Sequence, residues 1–219
     1  MVAVVCDGAG SATRAEQGAA MFSSSFGSLA KTWIEKQDGL SGLDQSTILE
    51  WVQQCLHLIE TDAQEAGMQK RDYACTFLAA LVGAEDAYFL QIGDGGIVIA
   101  DAQNIAEYFW IFWPQKGQYH NTTNFITDDD CMDNLQFEYC PIALKDIALF
   151  SDGIENIALK FDTSEAYQPF FKNLFGTLRH DNASDLFSDA ITVFLNSDKV
   201  NERTDDDKTL IIASRMEED

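Results

Sequence analysis

The sequence predicts an α+β fold, because helices and strands occur in separate groups along the chain. Two long segments with helical spacing follow each other near the N-terminus, and a group of short apolar runs comes after them. A strict alternation of strands and helices, which would indicate a doubly wound parallel sheet, is not found. We therefore expect sheets packed face to face, with helix pairs outside them.

The N-terminal part predicts a strand and then two helices. The short β-branched run Val2–Cys6 ends at Asp7-Gly8, as a buried strand does when it enters a tight turn. From Thr13 onward, apolar residues recur every three or four positions, which predicts an amphipathic helix. The loop Lys36–Ser46 then separates it from a second helix. The apolar faces of the two helices consist of Ala15, Ala19, Phe22, Phe26, Leu29 and Trp33, and of Ile48, Trp51, Val52, Cys55, Ile59 and Ala63.

The middle of the chain has the character of a sheet. The apolar runs Ala74–Val82, Ala87–Ile92 and Ile97–Ala100 predict a meander of neighbouring antiparallel strands, with Asp94-Gly95-Gly96 as one of its turns. The aromatic segment Ile105–Trp113 predicts a further strand.

The remainder of the chain adds a polar segment, strands and helices. Pro114–Asp133 carries the acidic run Asp128–Asp130 and is predicted to be a long surface excursion with a solvated loop. Ile147–Phe150 and Lys208–Ser214 predict strands, and two helices are expected between Thr163 and Asn196, broken near His180–Asn182. Neither an internal repeat nor a convincing linker is found, so we expect residues 1–219 to form a single domain.

Composition and charge exclude several classes of protein. The chain has 219 residues, 46% of them hydrophobic, and a formal net charge of −22. Such a charge repels phosphate backbones and anionic lipids, so we expect neither nucleic-acid nor membrane binding. The five cysteines form no CxxC pair, which argues against a zinc cluster. Cys6, Cys55 and Cys75 lie in apolar runs and are predicted to be small buried hydrophobic residues, which indicates a reducing, cytoplasmic environment.

One pattern recurs along the chain: an apolar strand ends and an aspartate follows at once. It occurs at Asp7, Asp94 and Asp152, and Asp206 shows its mirror image before the last strand. Aspartate and glycine often end strands simply because they suit turns. Four such junctions on one predicted sheet core favour a second interpretation, in which converging carboxylates bind cations. Oxygen ligands without His or Cys select Mg²⁺ or Mn²⁺.

Taken in order, these junctions resemble the signature of the PP2C-type (PPM) metal-dependent protein phosphatases. The motifs are DGAGS at Asp7–Ser11, QIGDGGIVI at Gln91–Ile99, SDGIEN at Ser151–Asn156 and DDKTLII at Asp206–Ile212. The opening motif and the segment Gly117–Asp130 are similar to a bacterial branch of the family. The resemblance implies the PP2C α-β-β-α sandwich, with two mainly antiparallel sheets flanked by helix pairs.

The resemblance also implies roles for individual residues. Asp7 would bridge two core metal ions, and the carbonyl of Gly8 would reach one of them through water. Asp152 and Asp206 would complete the site of the other ion, and these three aspartates would be catalytic through a metal-bound water. Asp94 corresponds to the aspartate of a third, weaker metal site. The acid expected four positions after Asp152 is Asn156 here, which keeps an oxygen ligand but loses a charge.

The chain also departs from the family pattern. The family has an upstream strand pair that carries a phosphate-binding arginine and an acidic pair, and this chain starts at what corresponds to a later strand, so the predicted domain is N-terminally incomplete. A truncated chain, a misassigned start codon and a true loss are the alternatives. Some members carry a histidine general acid at the position of Ala9.

Two hypotheses about function follow. The first is a serine/threonine protein phosphatase that hydrolyses phosphoserine and phosphothreonine in proteins, acting as a cytoplasmic monomer on a serine/threonine kinase or on the target of such a kinase. The second is a pseudophosphatase, in which a weak or inactive site has become a regulatory binding module. A different metal hydrolase on another fold is a third alternative, which the order of the motifs disfavours.

The remaining conspicuous residues are predicted to be structural. His57 lies within the second helix and His120 in the polar excursion, so neither is expected to be catalytic. Trp110 and Trp113 could form a substrate platform, but aromatic residues of strands usually belong to the core. Arg14 is expected to be an exposed helix residue.

Overall fold

The computed structural model describes residues 1–115, 123–180 and 184–216. These residues form two compact units. The first unit comprises Met1–Asp94 and Pro114–Ile142, and the second comprises Gly95–Trp113 and Ala143–Asp219. Each unit contains helices and an antiparallel sheet, which confirms the predicted α+β class. That the whole chain forms one domain stays a prediction.

The first unit contains a four-stranded sheet and two long helices. Its strands follow the order β1-β2-β3-β6, and every neighbouring pair is antiparallel. The elements are β1 (Val2–Val5), α1 (Ala15–Gln37), α2 (Gln45–Glu65), a 3-10 helix (Lys70–Tyr73), β2 (Phe77–Val82), β3 (Ala87–Ile92), α3 (Cys131–Asn134) and β6 (Gln136–Cys140).

The core of the first unit lies between the sheet and the helices α1 and α2. The side chain of Asp44 accepts a hydrogen bond from the amide of Thr47 (2.8 Å), which satisfies a free donor at the start of α2. Phe22 and Phe26 of α1 are fully buried and contact the ring of Phe77 edge to face, with centroids 4.8 Å and 5.0 Å away. The predicted helical stripes thus become the core.

The second unit contains its own four-stranded sheet, in the order β10-β7-β4-β5, again antiparallel throughout. A two-stranded sheet of β8 and β9 accompanies it. The elements are β4 (Gly96–Asp101), β5 (Asn104–Trp110), β7 (Leu144–Phe150), α4 (Asp152–Ala158), β8 (Leu159–Lys160), β9 (Glu165–Ala166), α5 (Gln168–His180), α6 (Ser184–Leu195), α7 (Asp198–Asn201) and β10 (Leu210–Ser214).

The core of the second unit forms where helix α5 meets the sheet. Phe171 and Phe175 of α5 are fully buried, and both stack on the ring of Tyr108 at a centroid distance of 5.5 Å. Phe150, the last residue of β7, lies in the same cluster. Since Ser151 and Asp152 follow Phe150 directly, this packing fixes the strand end from which they emerge.

The predicted meander is wrong at one point. β3 pairs with β2 and β6, whereas β4 pairs with β5 and β7, so β3 and β4 are consecutive in sequence but belong to different sheets. The residues between them include Gly93 and Gly95, with φ angles of 96° and 86°. Glycine adopts these angles readily, which lets the chain leave one sheet and enter the other without a hairpin.

The predicted surface excursion is wrong in its second half. Ile126 is fully buried and Cys131 is 3% exposed, and both belong to the core cluster of the first unit. The earlier residues 116–122, with His120, lie outside the described part of the chain, as do residues 181–183 between the two predicted helices. Strand β6 and helix α4 were not predicted.

Among the described residues, no helix combines the length and the apolar character that are needed to cross a membrane.

Candidate active site

Asp7 lies directly beyond β1, and its main chain is fixed from both sides. Its amide donates a hydrogen bond to Oγ1 of Thr76 (3.1 Å), and its carbonyl accepts one from the amide of Thr76 (2.8 Å). Thr76 is 3% exposed, so both hydrogen bonds are shielded from water. The antiparallel register of β1 and β2 continues beyond both residues, because Gly8 forms a bridge with Cys75. The carboxylate of Asp7 therefore projects from a fixed backbone.

The residues on either side of Asp7 are tightly packed. A Cβ atom on Gly8 would lie 2.8 Å from Cβ of Ala15, the first residue of α1, so a side chain at this position would push the helix away. Burial raises the pKa of the Cys6 thiol well above its usual range, and a hydrogen bond with Cys75 adds to the effect. Cys6 is therefore a neutral packing residue.

Ser151 ties the start of α4 to the segment that precedes β10. Its amide donates to the carbonyl of Thr209 (3.1 Å), and its hydroxyl accepts from the amide of Thr209 (3.0 Å). The same hydroxyl donates to the carbonyl of Asp207 (3.2 Å). These bonds join the SDG and DDKT motifs, which lie more than fifty residues apart in sequence.

Gly153 completes this junction. A Cβ atom on it would collide with the carbonyl of Asp207 and would lie 3.3 Å from the carbonyl oxygen of Asp206. Only glycine lets the two backbones approach so closely. The structure thus brings the segment of Asp152 and the segment of Asp206 together within the second unit.

The turn that carries Asp94 is held by a residue that the sequence did not single out. In the first unit, Oε1 of Gln115 accepts a hydrogen bond from the main-chain amide of Gly93 (2.7 Å). The main-chain amide of Gln115 donates to the carbonyl of Gly93 (3.2 Å). Its Nε2 donates to the carbonyl of Asn134 (2.6 Å). A single glutamine in a polar segment gives no signal of such a role.

Asn156 and the adjacent Glu155, which would match the acid position of the SDG motif only in a shifted register, make different contacts. Oε1 of Glu155 accepts a hydrogen bond from the amide of Gly95 (2.6 Å), the residue that follows Asp94. The exposed Asn156 instead donates from Nδ2 to the carbonyl of Arg203 (3.3 Å). Glu155 therefore supports the glycine turn, and the amide of Asn156 is bound to another loop.

The donors at these positions suit a hard divalent cation. They are carboxylate and carbonyl oxygens, the ligands that Mg²⁺ and Mn²⁺ prefer. Asp7 and Asp94 belong to the first unit, whereas Asp152, Asp206 and Asn156 belong to the second. Over the described residues, neither unit by itself contains three clustered His, Cys, Asp or Glu side chains that could hold a metal ion.

The structure corrects two further expectations. Arg14 is not an exposed helix residue: it precedes α1, is half-buried, and its guanidinium lies over the ring of Tyr73, 5.8 Å from the centroid. Trp110 is not a core residue, because 36% of it is exposed. His57 lies on the exposed face of α2.

Comparison with known proteins identifies the family. The model of the family described as protein phosphatase 2C matches residues 1–196. Serine/threonine-protein phosphatase 3 of Escherichia coli (strain K12) is 33% identical over 211 residues, which make up 95% of this chain and 81% of that protein.

Solved structures of bacterial phosphatases share the fold. The serine/threonine phosphatase PstP/Ppp of Mycobacterium tuberculosis superposes with a TM-score of 0.67 at 14% identity, over 97% of this chain and 87% of that one. A serine/threonine phosphatase of Staphylococcus aureus gives a TM-score of 0.63 at 15% identity, over 99% of this chain and 84% of that one. The chain therefore belongs to the protein phosphatase 2C family of serine/threonine phosphatases.

Proposed function

We propose that this chain hydrolyses phosphoserine and phosphothreonine esters of proteins in a metal-dependent reaction. The observation that carries the proposal is the set of hydrogen bonds from Ser151 to Thr209 and Asp207. These bonds and the close approach of Gly153 hold two aspartate-bearing motifs side by side. Carboxylates held close together repel each other, and a bound divalent cation would offset this repulsion.

The proposed ligands of Mg²⁺ or Mn²⁺ are Asp7, the carbonyl of Gly8, Asp152 and Asp206 for two core ions, with Asp94 and Asn156 for a weaker third. Two ions bound by such a set would activate a water molecule as the nucleophile and neutralise the charge of the phosphoryl group.

The contribution of the protein itself is to fix the ligands before the substrate arrives. Thr76 holds the main chain of Asp7, and Ser151 holds the segment of Asp152 against that of Asp206. Positioning and charge neutralisation are the main sources of catalysis in phosphoryl transfer. Ala9 can supply no proton, so the departing serine or threonine oxygen takes its proton from water.

The proposed substrate is a phosphorylated protein, either a serine/threonine kinase or the target of one. The chain is proposed to act on it as a monomer in the cytoplasm. The net charge of −22 supports a protein partner over nucleic acid or membrane, because it repels both of the latter.

Hydrolysis of p-nitrophenyl phosphate and of a phosphothreonine peptide tests the proposal. We expect turnover with Mn²⁺ or Mg²⁺ and none with excess chelator. Asp152→Asn and Asp206→Asn should each lower kcat by about a hundredfold or more, because each removes a ligand charge. The exposed turn residue Asp162 provides the control, and Asp162→Asn should leave kcat unchanged. Turnover that survives the chelator and both ligand substitutions contradicts the proposal.

One observation favours the second hypothesis, that of a pseudophosphatase. The amide of Asn156 stands where the family has an acid, and it is engaged by the carbonyl of Arg203. Calorimetric titration with Mn²⁺ separates the two hypotheses. Binding of two ions together with turnover supports the enzyme, whereas no turnover with either metal, even when ions bind, supports the regulatory module.

A further inference from the structure

An open cleft runs along the outer edge of β5 in the second unit. Over the described residues, the sheet order ends at β5, so this strand has one edge that no further strand of its sheet covers. The cleft has a volume of about 730 Å³, a size typical of ligand sites. It is lined by Glu107, Tyr108, Phe109, Trp110, Ser164, Glu165, Ala166, Gln168 and Lys172.

Alternate residues of β5, among them Tyr108 and Trp110, turn their main-chain hydrogen-bonding groups toward this cleft. The amide of Ile111 donates to Ile97 of β4 (2.9 Å), so the groups of the preceding residue, Trp110, face the opposite edge. Two residues earlier, the outward main-chain groups of Tyr108 are already hydrogen-bonded to the side chain of Gln168. The amide of Tyr108 donates to Oε1 of Gln168 (2.9 Å), and its carbonyl accepts from Nε2 (2.8 Å). The side chain of Gln168 thus imitates one residue of an added strand, and the edge continues past it to Trp110.

The side chain of Trp110 forms a fixed aromatic surface at the cleft. Its indole N–H donates to the carbonyl of Ser164 (2.8 Å), and its ring contacts Trp113 edge to face at 5.3 Å. Trp113 in turn packs on Phe161 at 5.5 Å, which is 41% exposed. A partly exposed indole that is already ordered loses little entropy when a ligand covers it.

The sheet register relates the cleft to Asp152 within the second unit. Val98 of β4 pairs with Ala148 of β7 on one side and with Trp110 on the other, so Trp110 is level with Ala148. A strand added outside β5 would lie three strand spacings from β7, and Asp152 is four residues beyond Ala148, so about 20 Å separates Asp152 from the added strand at the level of Trp110. An extended peptide covers about 20 Å in six residues. A peptide with its phosphorylated residue near Asp152 therefore reaches the cleft with a residue about six positions away.

We propose that this cleft binds an extended segment of the phosphoprotein substrate as a strand added to β5, about six residues from the phosphorylated side chain. The inference rests on the proposed phosphatase function and names a determinant of its substrate. The cleft carries both charges: Glu107, Glu165 and Lys172 line it, and Glu165 is paired with Lys160 (3.9 Å). Recognition therefore comes from main-chain hydrogen bonds and from contact with Trp110, and it suits uncharged, β-branched residues.

Capped phosphothreonine peptides of increasing length test the proposal with the full chain and Mn²⁺. Their flanks of alternating valine and serine grow from zero to nine residues, separately on the N-terminal and the C-terminal side. We expect KM to fall by about tenfold once one flank passes about six residues, at constant kcat, since one ordered aromatic contact is gained. N-methylation of the flanking amides that would pair with β5 should abolish this gain.

Trp110→Ala should raise KM for the long peptides by the same factor and leave the shortest peptide and p-nitrophenyl phosphate unchanged. Trp110→Phe keeps an aromatic ring and should retain most of the gain. Tyr139 of β6, which is 44% exposed, supplies the control, and Tyr139→Ala should leave the length dependence intact. If Trp110→Ala does not fold, the KM values of the N-methylated peptides, measured with the unaltered chain, decide whether the cleft binds the substrate.

Failure of this inference is distinguishable from failure of the proposed function. Hydrolysis of p-nitrophenyl phosphate reports on the function, and a change of tryptophan fluorescence on adding the longest unphosphorylated peptide reports on the cleft without turnover. An inactive chain whose fluorescence still responds, with a weaker response in Trp110→Phe, supports the cleft alone. A KM that is independent of flank length, or an absent fluorescence response in an inactive chain, overturns the cleft.

Discussion

The two units bury different kinds of side chain. The core of the first unit is apolar and aromatic, with the free thiols of Cys55, Cys75 and Cys131 among its buried members. The second unit buries Asp146, which is 1% exposed, and surrounds its carboxylate with Arg179, Tyr108 and Ser214. The stability of the first unit therefore depends on how well its side chains pack, and that of the second unit depends also on a buried ion pair. A single substitution is expected to act by a different mechanism in each.

The network around Asp146 connects four elements of the second unit. Nη1 of Arg179 on α5 donates to both carboxylate oxygens (2.7 Å and 2.6 Å). The hydroxyl of Tyr108 on β5 donates to one of them (2.8 Å), and that of Ser214 on β10 donates to the other (2.6 Å). Burial and the nearby carboxylate raise the pKa of Tyr108. Each oxygen accepts two of these hydrogen bonds, and Arg179 is the one partner that contributes to both.

The largest effect is expected from Arg179→Ala. It leaves the buried charge of Asp146 without its counter-ion, which should lower the free energy of unfolding by about 3 kcal/mol in urea titrations. The exposed pair Lys31–Glu35 on α1 is the control, because both its side chains are more than half exposed. Lys31→Ala should change the free energy by less than about 0.5 kcal/mol. If both variants change the free energy of unfolding by the same small amount, the stability of the second unit does not depend on this buried ion pair.

The next effect tests the importance of shape in the first unit. A Cβ atom on Gly18 of α1 would collide with the carbonyl of Tyr73, whereas one on Gly27 of the same helix would meet nothing within 4 Å. We expect Gly18→Ala to destabilise by about 2 kcal/mol, as overpacking does. Gly27→Ala should stabilise by about 0.5–1 kcal/mol through helix propensity alone. Thermal unfolding of both variants measures the difference, and the same sign for both would show that the helix can shift.

The smallest effect concerns pH. Burial raises the pKa of the Cys55 thiol from its ordinary value of 9.0 to about 12. The folded state favours the neutral thiol, so its stabilisation is complete below pH 9 and is lost as the pH rises toward 12. Between pH 8 and pH 10, the unaltered chain should lose about 1.4 kcal/mol more stability than Cys55→Ala.

Val52→Ala, a truncation at a fully buried and non-titrating position of the same helix, is the control for this experiment. It should lower stability at every pH and keep the pH dependence of the unaltered chain. Parallel pH curves for the unaltered chain and Cys55→Ala would show that the thiol ionises freely in the folded state.

Strong periodic patterns were enough to predict most elements. The apolar stripes of α1 and α2 become buried faces, and the motifs of Ser151 and Asp206 lie together as the family resemblance implied. Strand β6 did carry a signal, since polar and apolar side chains alternate from Gln136 to Tyr139, but the run is only five residues long and none of its residues is fully buried. Helix α4 did carry a signal, since a serine precedes it and Asp152 and Glu155 stand in its first turn.

Other features depend on contacts that sequence patterns do not encode. The passage of the chain from β3 to β4 depends on positive φ angles at Gly93 and Gly95, and a glycine turn is equally typical of a hairpin. The exposure of Trp110 follows from the position of β5 at a sheet edge, which is known only once strand order is known. The role of Gln115 is set by Gly93, a partner twenty-two residues earlier.

The path of the chain through the two units limits how the protein can be dissected. The chain leaves the first unit after Asp94, returns at Pro114 and leaves again after Ile142, so each unit is assembled from two separate stretches. No single cut, by protease or by choice of an end point in cloning, yields either unit whole. Isolation of the first unit requires a new linker between Asp94 and Pro114.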